Sequence, residues 1–403
     1  MNSNKTKKSP LVFRGEQRFL SFLERHIYII ALAAITILAV VVRSVLIDYV
    51  SGDAYYFLLP WYETMKPQGF AALSQQVGDY NMLYQFFVAL FTYLPIDPLH
   101  AYKLFSIIFD FCLAILAAWI IYKNASSHPQ LKAVVMYACV LLSPLVVLNS
   151  ACWAQCDVIY TFFCVFSLYM MCKDKYLASM ILFGVAMAFK LQAIFILPVL
   201  LFCWFYKKKF SFLYFLTVPA VMILLSLPGL LHGRKISEVF TIYFNQTSTY
   251  QAMSMNYPSF WTLFQNGSLN EASKYGMFSK VAVILTLGIV MVYLLIWLKK
   301  RVVLNWENLF SMAFLVVYTC VLFLPSMHDR YGYLYEILAL FLAFRYYKTI
   351  PMLLLTYSVS VIAYGLYLFT FGANLALISF LNLVAYALYA IYLNKQMLKQ
   401  TEE

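Results

Sequence analysis

The stretch IYIIALAAITILAVVVRSVLI (residues 27–47), followed at once by DYVSGDAYY (residues 48–56), decides the fold class. The first part is long and apolar enough to cross a bilayer, because about 20 residues at 1.5 Å each span a ~30 Å hydrocarbon core. Lipid offers no hydrogen bonds to the backbone, so such a run must be a helix. The second part places a carboxylate, Asp53, just past that crossing. Working outward, apolar runs recur from Tyr28 to Leu393 with short interruptions. The chain is 64% hydrophobic, 19% aromatic and only 11% charged, with a mean hydropathy of +0.77. The reading is an all-α, polytopic integral membrane protein, residues 1–403 forming one transmembrane domain. The basic start (Lys5, Lys7, Lys8, Arg14, Arg18, Arg25) runs into a long apolar span without a small-residue cleavage site, so no cleavable signal peptide is expected.

A net charge of +12 could suggest nucleic acid, but the cations are not pooled. They form short clusters between apolar runs: Lys123/Lys132, Lys173/Lys175, Lys207–Lys209, Lys299–Arg301, Arg345/Lys348 and Lys395/Lys399. That is the positive-inside pattern of a membrane protein, and no nucleic-acid partner is expected. Placing every cluster in the cytoplasm gives roughly twelve crossings, a cytoplasmic tail at 1–26 and both termini inside. Residues 82–96 break this parity if they cross, so they are read as a short re-entrant or interfacial helix on the outer side. Two long loops then face outward, 48–80 and 232–277. Their position makes that face the working one. The eight cysteines show no CxxC and no Cys/His ligand spacing, so they read as packing residues.

Three polar clusters fall at this face. Asp53 lies in Ser-Gly-Asp-Ala-Tyr-Tyr, where it either caps the following helix or serves chemistry. Trp153-Ala154-Gln155-Cys156-Asp157 closes one span and opens the next. His328-Asp329-Arg330-Tyr331-Gly332-Tyr333 follows another span directly. Lys190 stands at an outer tip, against the positive-inside preference, where a lysine either snorkels or holds an anion. Carboxylates can take a proton from a hydroxyl nucleophile, and cations can stabilise charge on a departing phosphate. No P-loop or Rossmann turn is present, which argues against a nucleotide donor. The chemistry implied is glycosyl transfer from a lipid-linked sugar phosphate.

On these motifs the chain resembles the GT-C superfamily of membrane glycosyltransferases, most nearly the bacterial proteins related to the second GPI mannosyltransferase. Asp53 matches the acidic base of the first outer loop. The Asp79-Tyr80-Asn81-Met82-Leu83-Tyr84 stretch is similar to the tyrosine-containing segment that follows it. Trp153, Gln155 and Asp157 match an aromatic-x-Gln-x-Asp motif, and Lys190 the lysine after it. Asn256 and Trp261 resemble an Asn-x-x-x-x-Trp loop, and His328-Asp329-Arg330-Tyr331 a His-Glu-Arg-Tyr motif with Asp for Glu. The resemblance implies Asp53 and Asp157 as catalytic residues and Lys190, His328 and Arg330 as a donor-phosphate cradle. It further implies Asp79, Tyr80, Tyr84, Trp153, Gln155, Asn256, Trp261, Asp329, Tyr331 and Tyr333 as substrate-binding residues. The implied donor is a polyprenyl-phosphate monosaccharide, a hexose such as mannose. The implied acceptor is a cell-envelope glycan or glycolipid, and the reaction inverts the anomeric carbon. Some relatives use a divalent cation, which leaves Asp53, Asp157 and His328 as candidate ligands; no other cofactor is implied. The rival readings are a lipid-linked glycan polymerase or ligase and, further off, a transporter. A transporter would place ionisable groups near the bilayer midplane, where this reading finds only Asp110 and Glu336.

Overall fold

The computed structural model describes residues 14–264 and 272–401. Residues 1–13 of the 1–26 tail, and residues 265–271 of the expected 232–277 loop, lie outside the described residues. The described residues are mainly helical, with no β-strand among them, only isolated bridges.

Helix α1 (Arg14–Leu46) contains the opening apolar run. The loop after it is itself ordered: a π-turn at Ala54–Leu58 leads into α2 (Leu59–Met65), then a 3-10 turn at Gly69–Ser74. At Gly78, with φ +74°, a Cβ would sit 2.5 Å from the Trp61 ring, so only glycine lets the loop close on that tryptophan. Helix α3 (Met82–Phe91) has ten residues and Asn81 as its cap. At about 15 Å it reaches half the hydrocarbon thickness, as a short embedded or interfacial helix would.

Helix α4 (Pro98–Asn124) starts where Asp97 accepts from the amides of Leu99 and His100, with Pro98 in the first turn. Helix α5 (Pro129–Leu141) breaks before Pro144, which cannot donate to the ladder. It resumes as α6 (Pro144–Val147) and a π-turn at Leu148–Cys152, bent by 44°. Next come α7 (Asp157–Cys172), α8 (Tyr176–Phe189), α9 (Leu197–Lys207), α10 (Thr217–Leu225), α11 (Leu227–Leu231) and α12 (Glu238–Thr249). The chain ends with α13 (Ala272–Lys299), α14 (Trp306–Phe323), α15 (Tyr333–Arg345), α16 (Ile350–Leu368) and α17 (Leu375–Met397).

Six of these helices have the length and apolarity to span a membrane, and the bent α5–α6 pair makes a seventh. The remaining expected crossings fall on shorter apolar helices such as α7, α8 and α9. Helix α14 is the hub, 83% buried, whereas α1 and α13 lie at the rim with 11% and 22% of their spans covered. Rim helices that are apolar all round need lipid as their partner.

The two ends of the bundle differ chemically. At one end Lys173 reaches Asn124, Lys207 pairs with Asp174, Arg345 pairs with Glu307, and Val303 bonds Gln400. These contacts draw several of the basic clusters together. At the other end lie the loop after α1, the α6–α7 junction, the α8–α9 turn and the α14–α15 connection. There Asp48 pairs with His100 at the start of α4.

Candidate active site

Asp53 precedes the π-turn but caps nothing: its side chain makes no bond to the helix that follows. Its Oδ2 instead accepts from Trp153 Nε1 at 3.0 Å and Gln155 Nε2 at 2.7 Å, and Arg330 Nη1 lies 3.2 Å away. Tyr367 donates to Oδ1. Three helix ends far apart in sequence thus converge on one carboxylate, 15% exposed. Ser51 secures the arrangement by donating to the Trp153 carbonyl and accepting from the Ala54 amide.

Asp157 opens α7 and is fully buried, again without capping it. Lys190 Nζ lies 2.5 Å from its Oδ1, and Asn149 Nδ2 donates to Oδ2 at 3.0 Å. The anion held by Lys190 is therefore the protein's own. The ammonium sits between the rings of Tyr80, Tyr160 and Tyr331, at 5.7, 5.9 and 5.8 Å, whose faces favour a cation. Arg330 bridges the two carboxylates: its Nε is 3.6 Å from Asp157, and its guanidinium lies over the Trp153 ring at 5.3 Å. The planar fork suits this double role.

These groups sit beside a cavity of about 1030 Å³. Asp53, Asp79, Tyr80, Gln155, Lys190, Asn256, His328, Asp329, Arg330 and Tyr331 all line it. Asn256 adopts φ +64° and bridges to His328, bringing both to the wall. The remaining expected residues stand behind it. Trp153 and Asp157 act on lining groups from the second row. Tyr84 packs 4.6 Å from the Tyr80 ring, Trp261 donates to the Phe323 carbonyl, and Tyr333 is buried in the core. The lining also has apolar residues, Leu191, Ile194, Phe195, Val283, Ile284 and Leu324, with Ser279 and Lys280 shortly before Val283 in sequence. Val283 and Ile284 belong to the lipid-facing rim helix α13.

Sequence reading missed Tyr367 and Asn149. Tyr367 sits in an apolar run, and one tyrosine among thirty-three carries no signal of its partner. Asn149 carried a weak signal, as an amide at the end of a span.

Burial, reinforced by the nearby Arg330, pushes the His328 imidazole down to about 3, so it is neutral at pH 7. It can offer an N–H but not a charge. Burial pushes Asp329 up to about 7 despite Arg330, and burial also raises Asp79. Among the described residues no three His, Cys, Asp or Glu side chains gather to hold a metal. Asp53 Oδ2 and both Asp157 oxygens already face protein donors.

The family model of Glycosyltransferase family 87 matches residues 79–325. No curated protein matches the chain.

Proposed function

The chain belongs to glycosyltransferase family 87, and we propose that it moves a hexose, such as mannose, from a polyprenyl-phosphate carrier to a cell-envelope glycan or glycolipid. In this reading residues 1–403 form one catalytic unit in the cytoplasmic membrane, with both termini inside and the cavity open to the outer face. The relation to bacterial homologues of the second GPI mannosyltransferase belongs to the same proposal.

The observation that carries it is the mixed lining of one cavity. A fixed carboxylate and the cations Lys190 and Arg330 line it together with apolar residues, among them Val283 and Ile284 of a rim helix that also brings Lys280 to the lining. A lipid-phosphate sugar is mixed in the same way. Its tail suits Val283 and Ile284, and its phosphate suits the end near Lys190 and Arg330.

Asp53 is the general base. Among the described residues its Oδ1 accepts from Tyr367 alone, which leaves a lone pair for the acceptor hydroxyl. As that proton moves to Asp53, the hydroxyl oxygen forms the new bond at the anomeric carbon from the face opposite the phosphate. The carbon–oxygen bond to the phosphate breaks, with inversion, and the electron pair leaves on the lipid phosphate. Arg330 and Lys190 stabilise that charge, and His328 adds an N–H bond. Because both cations are already paired with Asp53 and Asp157, they are positioned before the donor arrives. Asp157 holds Lys190 in place. Asp79, Tyr80 and Asn256 bound the space for sugar hydroxyls.

Purified protein in lipid nanodiscs should consume a polyprenyl-phosphate hexose and release the polyprenyl phosphate when given envelope glycolipid extract. Consumption of a diphosphate-linked oligosaccharide instead, with the monophosphate donor untouched, would favour a ligase and overturn the reading.

A further inference from the structure

Away from the cavity, a buried ion pair joins Arg43 of α1 to Asp110 of α4. Arg43 is 2% exposed and Asp110 0%. Arg43 Nε and Nη2 lie 3.0 and 2.8 Å from Asp110 Oδ2, and Nη1 donates to the Ala39 and Leu141 carbonyls. Leu141 is the last residue of α5, where the helix breaks. On the far side of the break, Ser150 Oγ donates to the same Asp110 Oδ2 at 2.6 Å. The pair therefore grips both arms of the bent helix, one through Arg43 and one through Asp110. Asp110 Oδ1 has no partner among the described residues, so its contacts are confined to this grip.

A charge pair inside a membrane bundle is costly, and a well-packed apolar pair would often stabilise more. The location suggests what it does. Ser150 lies in the π-turn whose backbone bonds set the next residues: the Trp153 amide to Leu148, and the Gln155 amide to the Asn149 carbonyl. Those two side chains hold Asp53, and Asn149 holds Asp157.

We propose that Arg43, Asp110 and Ser150 are positioning residues that lock the α5–α6 bend and thereby place the Trp153 and Gln155 donors on Asp53. This rests on Asp53 being the base. Catalytic constellations tolerate misplacement of about half an ångström, and a shift near 1 Å can cost on the order of a hundredfold. None of the three lines the cavity, and the route from them to Asp53 runs through the bend.

The test reads position and turnover separately. Protein labelled with 5-fluorotryptophan gives resonances for its seven tryptophans, and Trp153→Phe assigns the one that matters. Ser150→Ala, which leaves the ion pair whole, and Asp110→Asn should both move the Trp153 resonance in the direction seen for Asp53→Asn. Arg43→Lys should move it less. With a polyprenyl-phosphate hexose, kcat for Ser150→Ala and Asp110→Asn should fall about tenfold, with KM for that donor within about twofold. If Ser150→Ala is folded and its Trp153 resonance stays at the wild-type position, the inference is wrong. Should wild type itself fail to use the donor, the functional reading fails, while the fluorine spectra still decide this one.

Discussion

Replacing Arg330 by lysine keeps a positive charge and removes the fork that spans two carboxylates. In the native site Nη1 is 3.2 Å from Asp53 and Nε 3.6 Å from Asp157. At an effective dielectric near 20, a 3.2 Å pair has a gross attraction of roughly 5 kcal/mol. Desolvation offsets much of this, so the net worth is nearer that of a charge-assisted hydrogen bond, about 1.5–3 kcal/mol. A single ammonium can serve one carboxylate well, not both. Losing one such contact in the transition state corresponds to about ten- to a hundredfold in kcat/KM. Arg330→Ala should lose more, because no cation then spans Asp53 and Asp157 beside the departing phosphate. Both variants should fold, since Asp157 keeps Lys190 and Asn149. The assay is transfer rate against donor concentration in nanodiscs, with folded yield checked by size-exclusion chromatography. Wild-type donor dependence in folded Arg330→Ala would refute the cradle.

Tyr367→Phe removes one bond to Asp53 and should slow turnover about tenfold. Gly52→Ala should act on the same contact, because its Cβ would meet the Tyr367 oxygen at 3.0 Å; wild-type rates in both would show that the tyrosine is only packing. Stability should depend on pH in opposite senses for two neighbours. Asp329, raised to about 7, keeps a proton the unfolded chain has lost, so its contribution falls as pH rises from about 4 to 7. His328, lowered to about 3, contributes stability that is present above about 6.5 and lost as pH falls toward 3. Melting temperature should therefore decline from pH 4 to 6.5 in His328→Gln and climb over that range in Asp329→Asn; parallel curves for the two would contradict the assignments. For orientation, in a cysteine-free background, cysteine at Ser74 should react with an impermeant reagent in intact cells and cysteine at Lys208 should not. The reverse labelling would invert the proposed topology.

Much of this was legible from residue type alone. The apolar runs announce the helices because lipid leaves the backbone no other choice. The polar clusters at Asp53, Trp153–Asp157, Lys190 and His328–Arg330 stood out because charge at a membrane face is expensive. Their convergence could not be read, since it depends on how α7, α8 and α15 pack. Helix count was harder: α7 to α11 are short, the α5–α6 pair is bent by 44°, and hydropathy does not report where a helix breaks. Tyr367 and Arg43 escaped notice for related reasons. A tyrosine in an apolar helix looks like packing, and an arginine near a span's end looks like a snorkelling anchor until Asp110 is found beside it.

The most direct test of the account is the turnover of Asp53→Asn. The amide has nearly the shape of the carboxylate and can still accept from Trp153, but it cannot take a proton from the acceptor. With a polyprenyl-phosphate hexose and envelope glycolipid, transfer should fall at least about a hundredfold, with the protein folded and donor binding largely retained. Folded Asp53→Asn turning over near the wild-type rate would contradict the central claim.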